Sequence, residues 1–357
     1  VDTNYDNGTA TVSIKGGTFH NWNPENNAAE GAGTDFCAEG YFAVETSENV
    51  YEVVEGLIGK GTETEPFLIR SLKELKFFRD HVNAGKTKYN AEGVHVALAA
   101  NIDMATEDWS NNIGDDCNYT FDGIFNGSYN GVQYTLSNLN STETAQKADG
   151  YICTGLFGAI AGNATVKNLT IENVNINTAD FTGNNVAAVA GFVYTIANKT
   201  ITIENVTVQG DININAPQAY AVGTMAGYSL EAHGYINITD CAVEANEGSS
   251  IVAVSGSGAI IGHAAGIVTV EGSSVNNIDI TAKGLVGGLA GFVSSSKSVL
   301  DNNTVKNVNL TATEPNWVNS AAIAVGTMNK DGLTVANTTF EDVNASQMVG
   351  SVYANKP

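Results

Sequence analysis

Hydrophobic and polar residues alternate in a strand-like pattern over residues 166–176, and degraded copies of this segment recur along the chain. The copies align at intervals of 30 to 37 residues. Two hydrophobic columns result. The first contains Val166, Ile203, Ile238, Val270, Leu300 and Val335, and the second contains Ile171, Val208, Val243, Val275, Val305 and Phe340. A third column between them starts apolar and becomes polar: Leu169, Val206, Cys241, Ser273, Asn303 and Thr338. A fixed register of strand-like pieces at such a period predicts a solenoid with the two hydrophobic columns inside.

A polar column lies next to the first hydrophobic one. Its members are Asn168, Asn205, Asp240, Gly272, Asn302 and Asn337. A partial second column follows five residues later, at Asn173, Gly210, Asn277, Asn307 and Asp342. Asn, Asp and Gly tolerate the left-handed backbone conformation better than other residues, so each column predicts a repeated bend between short strands. Stacked Asn side chains are expected to hydrogen-bond from coil to coil as an Asn ladder.

A glycine column precedes each of these strands: Gly158, Gly191, Gly227, Gly262, Gly291 and Gly326. Glycine weakens a strand, so a repeated glycine predicts either a bend or a close approach between coils. Counting the coils from Asn138 to Asn337 gives seven, and residues 94–104 could add an eighth. The longer connections, 141–152, 177–186 and 311–320, are expected on one side of the solenoid.

One amphipathic helix is predicted before the repeats, at 71–84. Ser71 and Glu74 have capping-box spacing, and Gly85 is placed to end the helix. One face of the helix is apolar, formed by Leu72, Leu75, Phe78 and Val82. A solenoid needs a cover over its terminal coil, so this helix is expected to cap the first coil.

The chain therefore divides into three parts: a small β-rich segment (1–54), a linker with the capping helix (55–85), and a solenoid of about seven to eight coils (86–357). In the first part, the residue pattern predicts strands at 9–19 and 49–54, separated by a turn-rich insert. Residues 55–66 are expected to act as the linker.

The repeats, together with GTETEPFLIRSLKEL (61–75) and FDGIFNGSYNGVQYTLSNL (121–139), resemble right-handed parallel β-helices of the pectin-lyase-like kind. The similarity is to the Gly-rich repeats of bacterial surface and phage fibre proteins, and it covers about 61–357. The resemblance implies an all-β, right-handed fold and is weak on activity. Residues 1–54 resemble segments that close an upstream β-helix, which implies a preceding domain.

The net charge and the hydrophobic pattern limit the classes of binding partner that the chain can have. The formal net charge of −22 disfavours nucleic acid and anionic membrane surfaces. No apolar run approaches the roughly 18 residues that membrane insertion requires. The expected partners are a glycan or surface protein of a host or neighbouring cell, or other virion proteins, and an oligomer is compatible with the sequence.

The enzymatic alternative is a polysaccharide lyase or glycoside hydrolase. A lyase of this shape needs a cation near the substrate carboxylate, but the only arginines are Arg70 and Arg79, in the capping segment. A hydrolase needs paired carboxylates with a supporting histidine. Gly262-His263 is the only part of the sequence that resembles this pattern. We therefore assign no catalytic, cofactor-binding or metal-binding residues, and interpret His263 as a surface or ladder residue.

Four further features leave alternatives open. Asp115 and Asp116, with Asp122 nearby, could hold Ca²⁺ or form a solvated turn, which we favour because their spacing matches no calcium loop. Trp109 and Trp317 could stack on sugars or cover a neighbouring coil. Cys241 is expected to be a buried thiol. Cys117 and Cys153 lie about one coil apart and could pair, although a disulfide is not needed.

Asn-x-Ser/Thr triplets, as at Asn168 and Asn302, follow from the bend pattern itself and do not imply glycosylation. Taken together, the sequence predicts a non-enzymatic extracellular module with a structural or adhesive role. A bacterial cell surface or a phage virion would suit it, and a carbohydrate-active enzyme is the alternative.

Overall fold

The computed structural model describes residues 7–8, 10–115, 119–142, 153–178, 185–230, 234–295, 297–314, 321–322, 324–328 and 333–346. The elements before the repeats are β1 (Gly17–His20), β2 (Tyr41–Ser47), β3 (Val50–Glu55), β4 (Phe67–Ile69), α1 (Leu72–Asn83), β5 (His95–Leu98), β6 (Ile102–Asp103), β7 (Ile124–Asn126), β8 (Ser128–Tyr129), β9 (Val132–Gln133) and β10 (Thr135–Thr142).

The next coils contain β11 (Cys153–Thr154), β12 (Phe157–Ala161), β13 (Thr165–Asn177), β14 (Asn185–Ala187), β15 (Ala190–Tyr194), β16 (Thr200–Asn215), β17 (Ala221–Gly223), β18 (Ala226–Ser229), β19 (Tyr235–Thr239), β20 (Ala242–Ala245), β21 (Ser250–Val252), β22 (Gly256–Gly258) and β23 (Ile261–Ala264). The last are β24 (Ile267–Glu271), β25 (Ser274–Ala282), β26 (Val286–Gly287), β27 (Ala290–Val293), β28 (Val299–Asp301), β29 (Thr304–Ala312), β30 (Ala321–Ala322), β31 (Val325–Met328), β32 (Thr334–Ala336) and β33 (Thr339–Ser346).

The chain forms the predicted right-handed parallel β-helix, with three faces. The first face is a 16-stranded sheet whose longest path stacks nine strands, from β4 to β32. The second face stacks β11, β14, β17, β22, β26 and β30, and the third stacks β12, β15, β18, β23, β27 and β31. At roughly 4.8 Å per strand spacing, the first face is about 38 Å long.

The hydrophobic columns are confirmed. Val166 pairs with Ile203, Ile203 with Ile238, and the pairing continues through Leu300 to Val335. The second column pairs in the same way, and its first five members form one inward row at most 1% exposed. The core therefore runs as one continuous cluster through the solenoid.

The predicted bends are also confirmed, because every Asn, Asp and Gly of both columns has a positive φ between 46° and 82°. The Asn205 and Asn168 side chains stack, with Asn205 Nδ2 donating to Asn168 Oδ1 at 2.9 Å. Beyond Asn205 the column contains Asp240 and Gly272, and Asn337 donates to Asp301 instead of Asn302. Side-chain hydrogen bonds therefore link only some of the neighbouring bends.

The coil count differs from the prediction. Within the described ranges the second and third faces have six strands each, so the solenoid has about six turns there instead of seven to eight. The coils were counted from Asn138 to Asn337, but these two residues do not lie in the same bend column. Leu136 pairs with Ile171 and Leu139 with Val174, so Asn138 lies beside Asn173 in the second column.

The third column, which lies between the two hydrophobic ones, has apolar side chains that pack in the early coils and polar side chains that form hydrogen bonds in the later coils. Ser273 Oγ accepts a bond from the Cys241 amide at 3.2 Å, and Asn303 Oδ1 accepts one from the Ser273 amide at 3.0 Å. Thr338 Oγ1 accepts one from the Asn303 amide at 3.4 Å. Each inward polar side chain thus satisfies a buried amide of the coil before it, which offsets the cost of burying the pair.

The helix caps the N-terminal end as predicted. It begins after Ser71, whose hydroxyl accepts a bond from the Glu74 amide at 3.2 Å. The Glu74 carboxylate contacts the amide and guanidinium of Arg70, so the second bond of the capping box goes to Arg70 instead of Ser71. Phe78 is fully buried, with its ring centroid 5.8 Å from that of Phe121 and 6.0 Å from that of Phe125.

The segment before the helix is a three-stranded antiparallel sheet in the order β1-β3-β2. The prediction placed β3 correctly, located only the end of β1, and missed β2. The Phe42 ring centroid lies 5.2 Å from that of Phe77 on α1, so the sheet packs against the helix. In the linker, Leu57 is only 4% exposed and belongs to the solenoid core, so this stretch is packed as well as connecting.

The longer connections start and end at equivalent positions in successive coils, as predicted for loops on one side. Thr142 pairs with Asn177 and Asn177 with Asn215 at their starts. At their ends, Cys153 pairs with Asn185 and Asn185 with Ala221. Most residues between these anchor points lie outside the described residues.

The glycine column marks a close approach between coils, one of the two predicted explanations. A Cβ at Gly227 would lie 2.4 Å from the Gly191 carbonyl oxygen, and one at Gly291 would lie 2.2 Å from the Ser257 amide nitrogen. None of the six glycines has a positive φ. Strands of the third face therefore press against the backbone of the second face in the preceding coil.

Gly291→Ala is expected to destabilise the protein by about 3 kcal/mol, because the new methyl group meets backbone that cannot move aside. Chemical denaturation followed by circular dichroism measures the loss. Gly16→Ala is the control, since a Cβ there meets no atom within 4 Å and Gly16 has no positive φ. Equal losses in the two variants would contradict the close-approach interpretation.

Candidate binding surface

The second and third faces meet at a concave corner on the outside of the rod, where the glycine column lies. A small cluster separate from the main core fills one end of the corner, formed by Cys153, Ala159 and Phe192. Further along, a Cβ at Gly256 would lie 3.3 Å from the Cβ of His263 across the corner. The corner therefore brings outward-facing side chains of the two faces into contact.

Four aromatic residues occupy one outward position of the third face in successive coils. We call Phe192, Tyr228, His263 and Phe292 the aromatic column. Phe192 pairs with Tyr228, Tyr228 with His263, and His263 with Phe292. Their consecutive ring centroids lie 5.8, 5.0 and 4.3 Å apart. Stacking of this kind stabilises neighbouring coils, and Phe192, His263 and Phe292 are buried within it.

Two tyrosines flank the aromatic column. Tyr220 is 43% exposed, and its ring centroid is 5.2 Å from that of His263 and 5.9 Å from that of Tyr228. Tyr194 is 39% exposed and lies 6.1 Å from Phe192. We call Tyr194 and Tyr220 the flanking tyrosines.

His263 is a column residue, as one of the two predicted interpretations held, but it is buried instead of lying at the surface. Burial lowers the pKa of its imidazole to about 4, and no charged group contributes to this shift. Its Nδ1 atom has no hydrogen-bond partner among the described residues. The imidazole is enclosed by the rings of Tyr220, Tyr228 and Phe292.

The low pKa predicts that acid will weaken the fold through His263. Between pH 6.5 and 4 the unfolded chain protonates this imidazole and the folded chain does not, so stability falls as pH falls. The loss is expected to reach about 3 kcal/mol, and His263→Phe should remove it because a phenyl ring does not titrate and the neighbouring column positions, Tyr228 and Phe292, are already aromatic. Denaturant unfolding at pH 7.5 and 4.5 tests this. An identical acid-induced loss in both proteins would contradict it.

The two arginines of the capping segment are engaged there. Arg70 pairs with Glu74, and Arg79 Nη1 lies 3.1 Å from Glu107 Oε1. The Arg79 guanidinium also lies 4.7 Å from the centre of the Trp109 ring. Trp109 is fully buried, and its Nε1 donates to the Leu156 carbonyl at 3.0 Å. Of its two interpretations, covering a neighbouring coil therefore fits; Trp317 lies outside the described residues.

The candidate acidic residues that the structure describes accept hydrogen bonds from neighbouring residues. Asp115 Oδ1 accepts a bond from the Asn112 amide at 3.2 Å, and Asp122 accepts one from the Thr120 hydroxyl at 2.7 Å. Burial raises the pKa of Asp122. Asp116 lies outside the described residues, so the cluster as a whole is not described. No group of three or more His, Cys, Asp or Glu side chains that could hold a metal occurs within the described ranges.

Cys241 is buried as predicted, and burial raises the pKa of its thiol to about 12. Cys117, one half of the possible disulfide, lies outside the described residues.

A second concave feature lies between α1 and the N-terminal sheet. This cleft of about 510 Å³ is lined by Phe42 and Phe77 and by charged residues of both signs. The lining has three carboxylates, Glu39, Glu55 and Asp80, and three lysines, Lys73, Lys76 and Lys86. The cleft therefore presents no net charge that would select a ligand.

Sequence reasoning overlooked the aromatic column, although the signal was present. In four successive coils an aromatic ring directly follows the aligned glycine, at Gly191-Phe192, Gly227-Tyr228, Gly262-His263 and Gly291-Phe292. The histidine alone was noted, as an echo of a catalytic pattern. The flanking Tyr220 comes from a different face and has no such periodic signal.

Comparison with known proteins supports the fold more strongly than it supports any function. No protein-family model matches the chain. It is 32% identical to halomucin of Haloquadratum walsbyi over 235 residues, which are 63% of this chain and 2% of halomucin. A crystal structure from Bacteroides ovatus, provisionally named an immunoglobulin A1 protease, is similar with a TM-score of 0.57 and 18% identity. That similarity covers 82% of this chain and 81% of the other, and it supports the β-helix fold alone.

The chain thus combines a β-helix fold with partial similarity to halomucin and spans only a small part of halomucin's length. Among the described residues, no helix is long and apolar enough to cross a membrane.

Proposed function

We propose that this chain is a non-catalytic module of a large extracellular surface protein, acting as a stiff spacer with an adhesive side. The observation that carries the proposal is the partial match to halomucin, in which a segment the size of one β-helix occupies 2% of the relative. A segment of that size fits one building block of a very long surface protein. The match to a protein of a cellular organism favours a cell surface over a phage virion.

The solenoid suits a spacer mechanically. Each coil bonds to its neighbours through parallel strands on three faces, and one core cluster runs the length of the rod. Helix α1 covers the N-terminal end, which limits edge pairing there. Within this proposal the fold is a pectin-lyase-like β-helix used as a scaffold.

The surroundings of the candidate catalytic groups favour this role over catalysis. His263 is enclosed by aromatic rings, and both arginines serve ion pairs of the capping segment. The net charge of −22 would also repel the acidic polysaccharides on which lyases act.

A turnover panel tests the proposal. Uronate release from polygalacturonate, reducing-end release from neutral polysaccharides, and cleavage of immunoglobulin A1 should all equal the buffer blank. A pectate lyase and a glycosidase run in parallel show that each assay works. Turnover that is proportional to protein concentration and lost in His263→Ala would overturn the non-catalytic role.

A further inference from the structure

We infer that Asn130 is a site of spontaneous deamidation, at which the folded protein loses a side-chain amide and gains aspartate or isoaspartate. Asn130 and Gly131 form the loop of the hairpin β8–β9, in which Tyr129 pairs with Val132. This inference goes beyond the proposed spacer role and does not depend on it.

The sequence contains three Asn-Gly pairs: Asn7-Gly8, Asn126-Gly127 and Asn130-Gly131. The last two lie on the same short stretch of chain, at the two ends of β8. The fold leaves the reacting groups of one pair free and binds those of the other, so the two can be compared directly.

The reaction needs only water. The backbone nitrogen of Gly131 attacks the Cγ atom of Asn130 and gives its proton to solvent base, and the side-chain nitrogen leaves as ammonia. The new N–Cγ bond closes a succinimide ring, which water then opens at either carbonyl to give aspartate or isoaspartate. In sum, one water is consumed and one ammonia is released, and nothing is oxidised or reduced. An intramolecular attack of this kind is favoured where the two groups are free to approach each other, and glycine has no side chain to shield its nitrogen.

Both reacting groups of Asn130-Gly131 are free at the surface. The two residues are exposed, and Val132 beside them is 50% exposed. Their φ angles of 52° and 77° are those of a two-residue hairpin loop. Neither the Asn130 carboxamide nor the Gly131 amide has a hydrogen-bond partner among the described residues. A Cβ at Gly131 would meet no atom within 4 Å, so the ring has room to form.

The same two groups are bound at Asn126-Gly127. The Oδ1 atom of Asn126 accepts bonds from the amide and the hydroxyl of Ser128 and from Asn168 Nδ2, each at 3.0 Å. The Gly127 amide donates to the Lys167 carbonyl at 2.8 Å. Attack at Asn126 therefore requires a local opening between this coil and the next one.

The product changes the hairpin and leaves the core as it is. Deamidation adds one negative charge to a net charge of −22. Isoaspartate also adds one methylene to the backbone of the loop, which then no longer fits the two-residue turn between Tyr129 and Val132. Because β8 and β9 pair only with each other, the melting temperature of the solenoid should not change.

Chymotryptic peptide mapping after incubation in mildly alkaline buffer tests the site. Cleavage after Phe125, Tyr129 and Tyr134 places the two pairs on separate peptides, 126–129 and 130–134. In the folded protein, peptide 130–134 should gain the mass difference between an amide and an acid about tenfold or more faster than peptide 126–129, because Asn126 reacts only when its hydrogen bonds are broken.

The protein unfolded in urea is the matched control. Without the fold, both Asn-Gly pairs should lose ammonia at similar rates, so the ratio of rates in the folded protein measures the protection at Asn126. An intact amide at Asn130 while the unfolded chain has lost its own overturns the inference. Equal rates at the two positions of the folded protein overturn it as well.

Asn130→Gln tests whether the reaction is spontaneous. Glutamine closes a larger ring and should keep its amide over the same period, whereas a comparable loss would point to an amidase and overturn the inference. None of these outcomes bears on the proposed spacer role, which the turnover panel tests separately.

Discussion

Replacing Val243 with aspartate is expected to destabilise the protein by about 4 kcal/mol or more, enough to unfold part of the solenoid. Val243 is fully buried and lies between Val208 and Val275 in the inward row. A carboxylate there would have the apolar neighbours Val208 and Val275 above and below it and would be buried without a paired charge. Thermal and denaturant unfolding, followed by circular dichroism, measure the loss.

The effect should depend on pH, because burial favours the protonated form of the new carboxyl. Its pKa in the folded protein is raised, so the penalty is largest at neutral pH and shrinks as the pH falls toward that pKa. Glu244→Gln is the control, since Glu244 is the next residue along β20 and faces solvent. A melting temperature unchanged by Val243→Asp would contradict the inward row.

Removing the capping helix should have the second large effect. A chain shortened to residues 86–357 would lack both β4 and α1 and would expose Trp109, Phe121 and Phe125, all fully buried in the intact protein. An uncovered first coil presents apolar core and unpaired backbone groups, which favour association with other copies. The shortened chain is therefore expected to aggregate in size-exclusion chromatography.

A chain of residues 55–357 provides the comparison. It loses the N-terminal three-stranded sheet but keeps α1 over the core, so it should remain monomeric and melt cooperatively. The point variant Phe78→Ala should cost about 3 to 5 kcal/mol by removing the buried ring from the aromatic contacts with Phe121 and Phe125. If residues 86–357 alone stay monomeric and melt like the parent, α1 is not a cap.

Periodic features were readable from the sequence because a solenoid repeats its environment at every coil. The inward row of Ile171, Val208 and Val243 was predicted correctly, since one position in each coil meets the same core. The bends were predicted because Asn and Gly tolerate a positive φ that most residues avoid. The helix was predicted from local signals, namely the Ser71 cap and one apolar face.

The register of non-identical coils was harder to read. Asn138 resembled the first bend, but the pairing of Leu136 with Ile171 shows that it is the second. Similarly, Ser273 and Asn303 looked like degraded core positions, and they are hydrogen-bond acceptors for buried amides of the preceding coil. Those roles depend on which backbone group lies opposite, and a single strand does not reveal this.

By itself, the sequence determined the all-β solenoid, its core rows, its bends and its cap, because each follows from local conformation or from a repeat of one environment. The tertiary structure decided the concave corner, where Tyr220 of one face contacts His263 of another. It also showed that His263, which resembled part of a catalytic pattern in the sequence, is a buried side chain whose imidazole has a pKa of about 4. The physical reason is that contacts between faces join residues from different parts of each coil, and their distance is set only when the coils close and stack.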